Sequence, residues 1–352
     1  MKHYKQNLND FLDTNQLKID EKCKTDPNYI NELYKKYIES EAKNLFHSLD
    51  KTKRKELLKL RKQDKKFNKY LYKCWKNPID YLETLIEIAE ESAISFYETF
   101  YEQAIKDNNF LFSALQSIHA RSLLISRECL ALIKNGYPDG ALSRWRTLFE
   151  LSVISNFLYT KNDQELCEKY IDYQHIQEYK NELYFRQEEN KNYTEDAFII
   201  LEDNYNILKT KYDKKYFNGS YGWAHDFFPD KKGSIKFIDL VEDTNMKKLY
   251  SYCKLSSTYI HGNHKANVRS LGIIPNLETV HLSGSSNYGL SIPMQNVAIS
   301  LVQISTYFLL TYSNPDVSIT IFTMHHLLNH IKSEACNTQE RIESEQYKLR
   351  GK

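Results

Sequence analysis

The sequence predicts an all-α protein, a multi-helix bundle with a charged helical N-terminal arm. Apolar residues recur every three or four positions along most of the 352-residue chain, which is the spacing of one helix face. Glycine and proline are scarce, with 10 and 7 residues, so the segments between turns are long. Hydrophobic residues make up 41% of the chain, which allows a sizeable core and disfavours disorder.

Residues 1–76 are predicted to form a basic helical arm. Within it, Lys51–Lys76 carries twelve Lys and Arg residues against only Glu56 and Asp64. Three interpretations remain open: a solvated basic helix, a surface that contacts the phosphates of RNA or DNA, and a helix that lies on a membrane. The net charge of the whole chain is only +2, so its bulk charge does not indicate a polyanion-binding protein.

Residues 77–335 are predicted to form one helical bundle, and residues 336–352 a charged tail. Pro78 fits the first turn of the first bundle helix. Asn135-Gly136 ends the second helix, and Pro138-Asp139-Gly140 is predicted as a tight turn. The predicted helices cover Ile79–Lys106, Phe110–Lys134, Ala141–Tyr159, Gln164–Gln187, Glu195–Tyr212, Ile238–Glu242, Lys247–His261, Pro293–Tyr312 and Val317–Cys336.

Two connections between these helices are longer. Lys214–Lys236 is rich in glycine and aromatic residues and is long enough to be functional, and Asn263–Pro293 is predicted to be irregular. The most apolar span, Val297–Leu310, is too short to cross a bilayer and is predicted as a buried helix. We therefore expect no membrane partner.

The chain is expected to be cytoplasmic. Its start is polar and lacks the apolar core of a signal peptide. The six cysteines are scattered without a C-x-x-C pair, which excludes a zinc knuckle and a thioredoxin-type motif and fits a reducing compartment.

The helix Ala141–Tyr159 is apolar around most of its circumference, so it is predicted to be buried. Its narrow polar stripe contains Arg146 and Glu150, spaced i, i+4, with Arg144 about 100° away. Burial of this pair costs several kcal/mol unless each charge has further partners. The stripe is therefore either an ion pair that fixes the register of the bundle or the wall of a site that faces His261.

The segment Tyr250–His264 places candidate chemistry on one helix face. That face carries Tyr250, Cys253, Ser257, His261 and His264. Gly262-Asn263 is a plausible helix stop, which puts His261 in the last turn. There the helix dipole favours imidazolium, so this histidine suits proton transfer near neutral pH. We expect His261, Ser257, Arg146 and Glu150 to converge.

Four motifs in order resemble an uncharacterised family of bacterial all-helical proteins, over roughly Trp75–Ser270. They are Gly136-x-x-x-Gly140-Ala141, Arg144-x-Arg146-x-x-x-Glu150, Tyr221-Gly222-Trp223-Ala224 and Ser257-x-x-x-His261-Gly262. That family is similar in helical character to the HEPN superfamily, which includes metal-independent ribonucleases of toxin and phage-defence systems. The HEPN signature, Arg-x(4–6)-His on one helix, does not occur here, so the arginine must come from elsewhere, with Arg146 the first candidate.

The resemblance implies an effector that acts on RNA without a metal or another cofactor. His261 would act as general acid and base, Arg146 would stabilise charge on the phosphate, and Glu150 would orient Arg146. The candidate substrate-binding residues are Ser257, Tyr250, His264, Trp223 and Arg144. RNA would also contact Lys51–Lys76, and the other expected partner is a second copy of the chain or the product of a gene in the same operon.

The alternative function is a non-catalytic module that uses the same cleft to bind a nucleotide or a partner. A metal site is disfavoured, because Asp172-x-x-His175 lacks the paired Glu-x-x-His motifs of a di-metal bundle. The sequence also lacks Walker and dinucleotide-binding glycine motifs and a nucleophile elbow around Ser257.

Overall fold

A computed structural model describes residues 28–188, 192–261, 264, 268–275, 281–312 and 314–350. The first 27 residues of the predicted arm and the predicted helix stop at Gly262-Asn263 lie outside the described residues. The chain divides into two compact units, Met1–Phe67 and Asn68–Lys352. The boundary lies nine residues before the one predicted from sequence.

The described residues are mostly helical and contain no strand, so the predicted all-α class is confirmed. A short 3₁₀ helix, Gly222–Phe227, lies in the aromatic connection. The α-helices are α1 Tyr29–Lys106, α2 Phe110–Lys134, α3 Pro138–Lys161, α4 Gln164–Gln187, α5 Glu195–Lys211, α6 Phe237–Asp243, α7 Lys247–Ile260, α8 Ser291–Leu309 and α9 Pro315–Arg350.

In the first unit the described part is the beginning of α1. Its side chains from Lys51 to Lys66 are all exposed, as expected for a helix in which charged residues outnumber apolar ones. Within the described residues of this unit their ion pairs are local, such as Lys59 Nζ to Glu56 Oε1 at 2.8 Å. Exposed pairs of this kind are weak and easily exchanged. Most of the positive charge between Lys51 and Lys66 is therefore available to a partner.

In the second unit the core forms around α8, which packs against α2, α3 and α9. Its apolar residues are buried on nearly all sides, including Val297, Leu301 and Phe308, so the prediction of a buried helix here is confirmed. The indole Nε1 of Trp145 in α3 donates to Ser300 Oγ at 3.0 Å, which satisfies both polar atoms inside the core.

Helix caps explain most of the boundaries. Asn109 and Asp163 accept hydrogen bonds from the backbone N–H groups of Phe112 and Leu166, so α2 and α4 begin where the sequence predicts. Helix α3 begins at Pro138, three residues earlier than predicted, because proline suits the first helical turn and Pro138-Asp139-Gly140 continues into the helix.

Two other elements differ from the predicted ones. Helix α9 continues to Arg350, so the described part of the predicted charged tail is helical. Helix α1 passes through the predicted boundary at residues 76 and 77 and kinks at Trp75, whose φ and ψ are −107° and 18°. Among the described residues no helix is long and apolar enough to cross a membrane.

Candidate functional site

The polar stripe of α3 faces the aromatic connection and α7. The hydroxyl of Tyr221 donates to Glu150 Oε1 at 2.5 Å. Arg146 lies one turn earlier, beside the Cys253 thiol of α7; burial raises the pKa of that thiol, and Arg146 opposes the rise. Arg146 and Glu150 are both half-buried. The stripe therefore has partners on two other elements, which is the condition for keeping both charges there.

The proton of Tyr221 is held firmly. Burial raises the pKa of its phenol well above the usual value, and the Glu150 carboxylate raises it further, while Arg146 acts in the opposite direction. A phenol with a raised pKa stays protonated at physiological pH and remains a hydrogen-bond donor. Tyr221 thus fixes one oxygen of Glu150.

The Tyr-Gly-Trp segment owes its shape to Gly222. A Cβ atom on Gly222 would lie 2.1 Å from the carbonyl oxygen of Tyr216, so only glycine fits at this approach of two backbones. The next side chain, Trp223, is 3% exposed and packs edge-to-face against the rings of Phe157 and Tyr170. Gly222 therefore places Tyr221 and Trp223 against α3 and α4.

A pocket of about 390 Å³ opens beside this segment, and we name it the Glu150 pocket. Helices α2, α3 and α4 and the aromatic connection form its walls. Its lining residues are Ser113, Ser117, Glu150, Ile154, Tyr170, Ile171, Tyr173, Gln174, Gln177, Ser220, Tyr221 and Trp223. Glu150 is the only charged residue among them, and four are aromatic: Tyr170, Tyr173, Tyr221 and Trp223.

The sequence did not lead us to predict that α4 forms one wall of the pocket. Tyr170, Tyr173, Gln174 and Gln177 recur at i, i+3, i+4 and i+7, which is the spacing of one helix face. A stripe of tyrosine and glutamine on an otherwise charged helix is the signal that marks this wall. Burial raises the pKa of the Tyr170 phenol, and the charge of Glu150 adds to the effect.

His261 does not line the Glu150 pocket. It is the C-terminal cap of α7 in an extended conformation, with φ −91° and ψ 140°, and its side chain is exposed. Its backbone N–H donates to the Ser257 carbonyl at 3.2 Å. The helix thus ends at Ile260, one residue before the predicted end, and His261 is not in the last helical turn. His264 is also exposed.

The other candidates on α7 have local partners. Ser257 Oγ donates to the Cys253 carbonyl oxygen at 3.0 Å, which is a common helical back-bond. The ring of Tyr250 lies 6.2 Å from the ring of Phe237 in α6, and Lys254 lies over its face. These contacts stabilise α7, and convergence of His261 with Glu150 remains a prediction.

Arg144 pairs with Glu128 of α2 and donates from Nη1 to Thr147 Oγ1 at 3.3 Å. It therefore joins α2 to α3. Asp172 is also engaged, because its carboxylate accepts from Lys211 Nζ at 2.9 Å and from the Tyr212 hydroxyl at 2.8 Å. Among the described residues no group of three or more His, Cys, Asp or Glu side chains is arranged to hold a metal ion.

A protein family described as a family of unknown function, DUF5677, matches residues 112–274. The match begins in α2, ends after α7, and includes Arg146, Glu150, Trp223 and His261. This similarity fits the uncharacterised helical family that the four motifs resemble. No curated protein and no solved structure matches the chain.

Proposed function

We propose that this chain is a non-catalytic helical module that binds the base of a nucleoside or nucleotide in the Glu150 pocket. The observation that carries the proposal is the position of the Glu150 carboxylate, which is held by Tyr221 in a pocket that Tyr170 and Trp223 also line. The pocket volume of about 390 Å³ lies within the range of small-molecule sites.

The chemistry of the lining supports a base. A carboxylate only accepts hydrogen bonds, so it selects a ligand with N–H donors, and one oxygen of Glu150 has no partner among the described residues. Aromatic side chains offer planar surfaces, and base stacking on such rings contributes about 1–3 kcal/mol. Gln174 and Gln177 are exposed at the pocket, and their amides both donate and accept. Guanine presents two adjacent N–H groups to a carboxylate and is the expected preferred base.

Isothermal titration with guanosine, adenosine, cytidine and uridine tests this proposal. We expect guanosine to bind most tightly. Glu150→Gln should lower the affinity for guanosine about tenfold, because one hydrogen bond to a charged group is lost. Glu102→Gln is the matched control, because Glu102 is exposed on α1 and does not line the pocket. Absence of nucleoside binding, or an equal loss in both variants, would refute the proposal.

A metal-independent, HEPN-like ribonuclease of a toxin or phage-defence system is the second candidate. It is favoured by the exposed imidazole of His261, which is accessible to a large substrate. In this candidate His261 transfers the proton, Arg146 stabilises the phosphate and Glu150 orients Arg146. A cytoplasmic location belongs to both candidates, and the scattered thiols support it.

Cleavage of single-stranded RNA in the presence of a chelator tests the second candidate. His261→Ala is expected to abolish cleavage, and His326→Ala, an exposed histidine of α9, is expected to leave it intact. Cleavage that survives His261→Ala rules out this assignment. Nucleoside binding that persists in His261→Ala, without any cleavage by the parent protein, supports the binding module.

A further inference from the structure

The kink of α1 leaves one carbonyl without its helical donor. In a regular helix the Cys74 carbonyl accepts from the N–H of residue 78, and Pro78 has none. Arg341 of α9 replaces it, with Nη2 donating to the Cys74 carbonyl oxygen at 2.8 Å. One N–H of the guanidinium is thereby used, and the position of the guanidinium is fixed against α1.

A second pocket, of about 370 Å³, lies beside this hydrogen bond, and we name it the Arg341 pocket. It lies wholly within the second unit, between α1 and α9. Its lining residues are Lys73, Cys74, Lys76, Asn77, Glu334, Asn337, Thr338 and Arg341. All of them are polar, in contrast to the aromatic walls of the Glu150 pocket.

Positive charge in the Arg341 pocket exceeds its local partners. Lys76 Nζ pairs with Asp80 at 3.3 Å, and Glu334 Oε2 accepts from Asn77 Nδ2 at 3.2 Å. Lys73 and Arg341 have no carboxylate within ion-pair distance among the described residues. The lining thus carries three cations, Lys73, Lys76 and Arg341, against one carboxylate, Glu334, and this excess of positive charge favours an anionic ligand.

Thr338 supplies an independent observation. The residue is 7% exposed, lines the pocket, and its hydroxyl has no hydrogen-bond partner in the described part of the chain. The hydroxyl oxygen itself stays accessible to solvent, so it can bond to water or to a ligand. Its place in the lining makes it a donor to whatever fills the pocket.

We propose that the Arg341 pocket binds the phosphate group of a small phosphorylated molecule. The planar guanidinium of Arg341 offers its remaining N–H groups to two phosphate oxygens, Lys73 adds charge and Thr338 donates a neutral hydrogen bond. A volume of about 370 Å³ exceeds the size of a phosphate ion, so the ligand is a phosphate ester of sugar size. This site is separate from the Glu150 pocket.

Isothermal titration of the full chain with ribose 5-phosphate and with ribose tests this proposal. We expect the phosphate ester to bind and ribose not to bind. Lys73→Gln and Thr338→Val should each lower the affinity for ribose 5-phosphate. For Lys73→Gln we expect a decrease of about tenfold, because one charge-assisted hydrogen bond is lost. Both variants leave the bond between Arg341 and the Cys74 carbonyl in place, and circular dichroism checks their fold.

Two controls separate this site from general attraction and from the base-binding proposal. Lys332→Gln removes an exposed lysine of α9 outside the pocket and should leave affinity unchanged. Glu150→Gln should also have no effect, whatever its effect on guanosine. Equal binding of ribose, no binding of the ester, or a loss in Lys332→Gln as large as that in Lys73→Gln would overturn the proposal.

Discussion

The hydroxyl of Tyr221 lies 2.5 Å from Oε1 of Glu150, across 71 residues of sequence, and joins the aromatic connection to α3. This bond occupies Oε1 and leaves the other oxygen of Glu150 without a partner among the described residues. It also gives a half-buried carboxylate one of the partners that its burial requires.

Tyr221→Phe removes this bond and leaves the ring in place. We expect the free energy of unfolding to fall by about 1–3 kcal/mol, because the carboxylate loses a donor in a partly buried site. Urea denaturation followed by circular dichroism measures the change. Tyr184→Phe, at a residue that is 63% exposed, is the control and should leave the free energy of unfolding nearly unchanged. Equal decreases in the two variants would show that the bond between Tyr221 and Glu150 contributes nothing to stability.

Gly222→Ala is expected to be strongly destabilising. The added Cβ would meet the Tyr216 carbonyl at 2.1 Å, and neither backbone can move without displacing Trp223 from its packed position. Overpacking of this kind costs about 1–3 kcal/mol or more, measured as a lower melting temperature. Gly284→Ala, where a Cβ has open space, should melt like the parent protein.

His119 of α2 should make the protein less stable in mild acid. Its side chain is 2% exposed and its Nε2 lies 3.0 Å from Ser305 Oγ. Burial lowers the pKa of this imidazole from 6.5 to about 4. Between these two pH values the unfolded chain binds a proton at His119 that the folded chain does not bind. The stability that depends on neutral His119 is therefore complete above about pH 6.5 and is lost as the pH falls towards 4.

His119→Gln keeps an amide near Ser305 and removes the titration. Between about pH 7 and pH 5 we expect the parent protein to lose about 2 kcal/mol more stability than this variant, as measured by urea denaturation. Glu90, Glu98 and Arg127 line the same surface pocket and are present in both proteins, so their titration cancels in the comparison. Parallel pH profiles would contradict the assignment.

Charge reversal in Lys51–Lys76 tests the predicted RNA contact. Lys55, Lys62 and Lys66 are exposed and have no ion pair with another described residue. Changing all three to glutamate should weaken the binding of single-stranded RNA. The slope of log affinity against log salt concentration should become shallower by about 0.7 for each phosphate that a lysine no longer neutralises. Fluorescence anisotropy at two salt concentrations measures both. Lys332→Glu is the control, and an unchanged slope in the triple variant would exclude this segment from RNA binding.

The bounds of α2 and α4 follow from sequence because local signals determine them. Asn109 and Asp163 are side-chain caps placed directly before periodic apolar residues. The end of α9 did not follow, because the apolar spacing weakens after Cys336 and the remaining turns depend on contacts with distant residues. Tyr347, for example, donates to the Pro275 carbonyl at 2.8 Å.

The candidate site was only partly visible in the sequence. Glu150 and Trp223 are site residues that the sequence motifs predict, and both line the Glu150 pocket. Tyr170 and Gln174 were missed, since their role depends on which face of α4 meets α2 and the 3₁₀ helix, and that packing is not encoded locally. The position of His261 depends on how α7 ends, and periodicity alone does not resolve one residue at a helix terminus.

The hydrogen bonds around the α1 kink have a consequence for biosynthesis. Trp75, Asn77 and Cys74 bond to residues that lie 212, 257 and 267 positions later in the chain. A ribosome that adds about 5–20 residues per second needs roughly 10–50 s to make those partners. Throughout that interval the residues around Trp75 lack these partners, whereas Phe96, farther along α1, can already pack against Phe112 of α2. We therefore expect the kink region of the nascent chain to expose Trp75 until translation nears its end, which is when chaperones that bind apolar segments can act on it.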